Sequence, residues 1–129
     1  MTQATAQIVT FEQFLNFDDG NEVNEYELID GKLLLMPEPS ELHEAILEFL
    51  SFIFELAYRR RKLKYFVRKR NSLAIEQTKA RRPDIAITKR PQVFLDNQPI
   101  RGITSVPLMI VEIASNNGSS VLSVLNYQI

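Results

Sequence analysis

Two short runs that read as buried β-strands each carry one carboxylate, and no other feature restricts the fold of this chain so tightly. The runs are Arg82-Pro83-Asp84-Ile85-Ala86-Ile87-Thr88 and Pro107-Leu108-Met109-Ile110-Val111-Glu112-Ile113-Ala114. Removing an ionised carboxylate from water costs on the order of several kcal/mol unless a partner offsets it. Asp84 and Glu112 therefore either share a cation or sit at strand ends beside a neighbouring arginine. A hard ion such as Mg2+ (or Mn2+) takes one or two carboxylates together with waters and phosphate oxygens, so two acidic strands side by side suit metal-dependent phosphoryl chemistry.

Charge along the chain points the same way. Residues 1–58 carry twelve acids and one base, whereas residues 59–90 carry thirteen bases and two acids, although the net charge is only −1. The basic block holds Arg59, Arg60, Arg61, Lys62 and Lys64, then Arg68, Lys69 and Arg70, then Lys79, Arg81, Arg82, Lys89 and Arg90. Such a block suits a phosphate backbone, which is bound through counterion release. It equally suits a solvated face paired with the acidic first half, as Glu55 and Arg59 at i, i+4 illustrate.

Composition removes several classes. The 129 residues match one domain able to bury about two-thirds of its unfolded surface. Cysteine is absent, which rules out disulfides, thiolate zinc sites and cysteine nucleophiles. No apolar run nears the roughly 18 residues of a membrane span, and the N-terminus has no basic and then apolar leader, so the expectation is a cytoplasmic protein without a membrane.

Local signals lay out the elements. Thr10 with Gln13 forms a capping-box pattern that opens a short helix. Tyr26-Glu27-Leu28-Ile29 and Lys32-Leu33-Leu34-Leu35-Met36 flank Asp30-Gly31, a type I′ hairpin signal. Ser40 caps a helix of about 22 residues reaching Lys62, whose only polar residues between Ala45 and Ala57 are Glu48, Ser51 and Glu55. One sheet covers one face of such a helix, so a second subunit is expected on another, giving a homodimer. Tyr65-Phe66-Val67 and Leu73-Ala74-Ile75 are further strands, and Pro91 to Val106 reads as a loop with a short element at Gln92 to Leu95. The predicted fold is α/β or α+β, a mixed sheet flanked by helices.

The segments Tyr26 to Leu33, Met36-Pro37 with Ser40 and His43, Arg82 to Ile87 and Pro107 to Ser115 together resemble the Uma-two family of restriction-endonuclease-like proteins in the PD-(D/E)XK nuclease superfamily. The resemblance spans residues of about 10 to 116. It implies a nuclease core in which Asp84 and Glu112 hold Mg2+ (or Mn2+) for attack of water on a DNA phosphodiester. His43, the single histidine, opens the long helix where an imidazole can reach the acids or simply hydrogen-bond near the helix start. Glu27 points opposite to Tyr26 and Leu28, either to solvent or into the site as a third carboxylate. DNA contacts are assigned to Arg59, Arg60, Arg61, Arg68, Lys69, Arg70, Lys79, Arg81 and Arg82.

The chain departs from the superfamily pattern Glu-x-Lys, because Ile113-Ala114 follows Glu112 and no lysine stands downstream. Residues 116–129 carry no charge, and the C-terminal helix and aromatic-rich strand expected of the family are missing, as if the domain were cut short or altered after about residue 115. Lys69 or Lys79 are candidate replacements for the absent lysine. Three functions stay open: a metal-dependent DNA endonuclease, a catalytically weak or inactive nucleic-acid-binding relative, and an oligomeric interaction protein.

Overall fold

The computed structural model describes residues 7–91, 102–116 and 119–125. Helix α1 spans Phe11–Leu15, strands β1 and β2 span Tyr26–Ile29 and Lys32–Leu35, and helix α2 spans Glu41–Arg60. Strands β3 (Tyr65–Lys69), β4 (Leu73–Glu76), β5 (Lys79–Arg81), β6 (Ile85–Lys89), β7 (Met109–Asn116) and β8 (Ser119–Leu125) follow. The Thr10 hydroxyl accepts from the Gln13 amide while the Gln13 side chain accepts from the Thr10 amide, the full capping box. Ser40 caps α2 by accepting from the His43 amide at 3.1 Å.

The strands form two four-stranded sheets, β2-β1-β5-β4 and β3-β6-β7-β8, antiparallel throughout, where the sequence predicts one mixed sheet. The fold is α+β and restriction-endonuclease-like. Short connections explain the antiparallel β1–β2, β4–β5 and β7–β8 pairs, because parallel neighbours need a crossover of a dozen or more residues. In the β1–β2 hairpin both turn residues take positive φ, Asp30 at 50° and Gly31 at 75°. The one parallel contact among the described residues is an isolated bridge from Leu73 to Ile103.

Side-chain alternation gives β6 and β7 two faces. Ile85, Ile87, Val111 and Ile113 join Val67 and Leu47 in the core beneath α2. Ala86 and Ile110 face the other way and pack with Leu73 and Ile103, which locks the second sheet onto the first. A third cluster, Phe14, Leu28 and Ala80, lies under α1.

Two further details depart from the sequence reading. Residues 119–125, expected to lack a terminal strand, pair with β7 along its length from Ile110↔Leu125 to Asn116↔Ser119. An uncharged, Val- and Leu-rich segment is strand-forming wherever an edge is open to it. Lys79–Arg81 forms a short strand that joins β1 to β4 and went unforeseen. The outer face of α2 stays uncovered: Phe49 is 62% and Phe52 61% exposed, with Leu42 and Ile53 beside them. The element expected at Gln92 to Leu95 lies outside the described residues.

Candidate active site

The β6–β7 ladder runs Ile85↔Val111, Ala86↔Ile110, Ile87↔Met109, and one more step in this register sets Asp84 opposite Glu112. Asp84 is the residue just before β6, and its buried carboxylate is held on two sides. Oδ2 accepts from the Ile113 amide at 2.7 Å, which satisfies an N–H beyond the end of the ladder. Oδ1 lies 3.2 Å from Nε2 of His43 on the first turn of α2. His43 therefore reaches the acid from the helix cap set by Ser40.

Glu112 shares the Ile110 face and is hydrogen-bonded to Asp84. Burial, the neighbouring Asp84 charge, that hydrogen bond and the Glu27 charge push its carboxyl up from an ordinary 4.5 to about 7, and Arg81 pulls the other way. Glu112 thus keeps its proton towards neutral pH, as an acid buried beside another carboxylate does. Glu27, on β1 of the other sheet, lies close enough to act on Glu112 and is itself anchored: its Oε2 accepts from the Arg82 amide at 2.9 Å and lies 3.9 Å from Arg81 Nε. A cavity of about 460 Å³ collects Asp84, Glu112, His43 and Arg82 beneath the Met36 to Ser40 segment. Sequence reasoning singled out Ser40 and Met36-Pro37 but gave no role to Glu38, which also lines this cavity; the proline flanking it on each side was the available signal.

The basic block does not act as one surface. Arg59 and Arg60 end α2, about 24 Å from His43 at 1.5 Å per residue, with Arg61 just beyond. Arg82 turns inward: Nε donates to the Tyr26 carbonyl at 2.8 Å, Nη1 donates to the Arg70 carbonyl at 3.0 Å, and the guanidinium lies over the Phe14 ring. Arg70 pairs with Glu44 and, at 3.8 Å, with Glu25. Arg68 is partly buried over Phe66. Lys69 lines a separate, acid-rich cavity with Glu41, Glu44 and Glu48. Lys79 stands opposite Glu76 on β4, while Arg81 projects from β5 with 61% of its side chain exposed.

Among the described residues no group of three or more His, Cys, Asp and Glu side chains is arranged to hold a metal ion. The pair Asp84 and Glu112 still fits a hard divalent cation, which uses one or two carboxylates and completes its shell with water and phosphate. The raised Glu112 carboxyl marks excess negative charge that such an ion would balance.

The α+β core of two antiparallel four-stranded sheets and flanking helices is that of a restriction-endonuclease-like protein. Residues 11–124 match the Uma2 family model, described as "putative restriction endonuclease", and the chain belongs to that family. Its nuclease-like character is thereby supported at the level of the family. No curated protein matches the chain. No described helix is long and apolar enough to cross a membrane.

Proposed function

We propose that the chain is a divalent-metal-dependent endonuclease that hydrolyses DNA phosphodiesters, with Asp84 and Glu112 as the metal-holding pair. The observation that carries this reading is the opposed Asp84 and Glu112 carboxyls, lining one cavity with His43. A bound Mg2+ or Mn2+ would supply Lewis-acid charge at the phosphate. The chain's own groups do the rest. The Ile113 amide and His43 fix the Asp84 carboxylate, which spares it reorientation when the ion binds. Glu112 would have to give up its proton to hold a cation, so metal binding should strengthen as pH rises towards and above about 7. Glu27 holds the floor of the site through the Arg82 amide.

Mn2+ titration followed by calorimetry, alongside cleavage of plasmid DNA in Mg2+ or Mn2+, tests the reading. Binding and cleavage are expected in the wild type and neither in Asp84→Ala. Mn2+ binding without cleavage would favour the weak or inactive nucleic-acid-binding relative, and no Mn2+ binding refutes the metal site.

A separate observation favours self-association. Leu42, Ala45, Phe49, Phe52 and Leu56 recur at spacings of three and four along the outer side of α2, a heptad seam that receives another helix. Glu41, Glu44 and Glu48 occupy one end of the helix and Arg59 and Arg60 the other, so an antiparallel copy sets opposite charges together. We propose a homodimer through α2, acting in the cytoplasm. Sedimentation at micromolar concentration is expected to show a dimer that Phe49→Glu converts to monomer, and a monomeric wild type refutes it.

A further inference from the structure

Hydrolysis of a phosphodiester gathers negative charge beside a pocket already lined by Asp84, Glu112 and Glu38, with the Glu27 charge acting on Glu112 from the neighbouring sheet. Electrostatic balance demands a cation with free donors directed at that point. Arg82, which lines the cavity, and Arg70, which accepts from it through its carbonyl, are both engaged within the protein. Arg82 commits Nε and Nη1 to the carbonyls of Tyr26 and Arg70, which fixes its guanidinium inward over the Phe14 ring, and Arg70 is held by Glu44 and Glu25. Lys69 opens onto the other cavity, among glutamates.

Arg81 differs from all three. The Leu28↔Ala80 pairing sets it directly across from Glu27, and its Nε stands 3.9 Å from Glu27 Oε2, outside hydrogen-bond range. Its side chain is 61% exposed. Beside Glu27 it stands near enough to the acid pair for its positive charge to pull the Glu112 carboxyl down. A guanidinium so placed, tethered loosely by one acid and open to solvent, has a fork of donors left for two phosphate oxygens.

We propose that Arg81 is the phosphate-binding cation of this site, contacting the DNA phosphate next to the Asp84–Glu112 pair. The proposal rests on the nuclease reading for its substrate and places a positive charge for the phosphate on β5. Arg81 binds substrate here and takes no part in holding the metal. Arg59, Arg60 and Arg61, some 24 Å from His43 by helix rise, then contribute affinity at a distance.

The test compares wild type, Arg81→Gln, Arg81→Lys and Asp84→Ala in three measurements: anisotropy of a fluorescent DNA duplex across a salt series, Mn2+ titration, and cleavage kinetics. Arg81→Gln is expected to weaken duplex binding and flatten the slope of log affinity against log salt by about 0.9, the value of one phosphate contact. It should retain Mn2+ affinity and lower kcat/KM by about 10²-fold. Arg81→Lys should keep the salt slope while recovering only part of kcat/KM, since a point charge cannot reproduce the fork. If Arg81→Gln binds duplex with wild-type affinity and slope, the proposal is overturned, whatever the cleavage result. If the wild type shows Arg81-dependent duplex binding but neither Mn2+ binding nor cleavage, the nuclease reading fails while the phosphate contact stands. A wild type that binds no duplex overturns both.

Discussion

Replacing Glu112 by Gln isolates the electrostatic strain at the carboxyl pair. The folded protein holds the Glu112 proton up to about 7, whereas the unfolded chain loses it near 4.5. Between those values the folded state binds more protons, so stability falls as pH rises through the window and the full penalty remains above it. A displacement of that size corresponds to roughly 3 kcal/mol at about 1.4 kcal/mol per pH unit, and solvent screening of a partly exposed group reduces it to about 1–2 kcal/mol. Glutamine is neutral at every pH and can donate to Asp84 as the protonated acid does. Glu112→Gln should therefore match the wild type near pH 4.5 and exceed it by about 1–2 kcal/mol at pH 8, or about 3–8 °C in Tm for a domain of this size. Urea melts at several pH values, without divalent metal, supply the measurement. An equal gain at both ends of the range, or no gain at pH 8, would refute the account of strain at the pair. Adding Mn2+ at pH 8 should reverse the order, because only the wild type offers both carboxylates to the ion.

Other expected outcomes follow from burial and hydrogen bonding. Ile85 is fully buried beneath α2, so Ile85→Ala should cost about 3 kcal/mol in chemical denaturation without changing charge-dependent behaviour. Arg82→Ala should cost a similar amount, about 3 kcal/mol, because the carbonyls of Tyr26 and Arg70 lose charged donors; a variant of wild-type stability that merely binds DNA less well would show Arg82 to be a surface contact instead. Gly31→Ala should lower Tm by several degrees, since Gly31 sits at φ 75° and an added Cβ would collide with the Ile8 side chain.

Much of the frame was legible because it is encoded by neighbours in the chain. Thr10 with Gln13, Ser40 before α2, and Asp30-Gly31 between two apolar runs each act within a few residues, and each forms as read. The carboxylates were visible for a related reason, since an acid inside an apolar strand is conspicuous whatever surrounds it. Glu112 and Ile110 share a face by alternation alone. Family membership rests on the order of several such segments, which sequence also carries.

Partners distant in the chain were decided only by tertiary structure. A run of thirteen bases reads as one patch, yet a helix of about 30 Å carries Arg59 and Arg60 away from the acids while Arg82 folds inward onto backbone carbonyls. Register between strands far apart in sequence set Arg81 against Glu27, and the division into two sheets set Glu27 against Glu112. Charge type is a property of a residue, but which charges remain unspent depends on the donors and acceptors that folding brings within about 3 Å, and no local pattern records that.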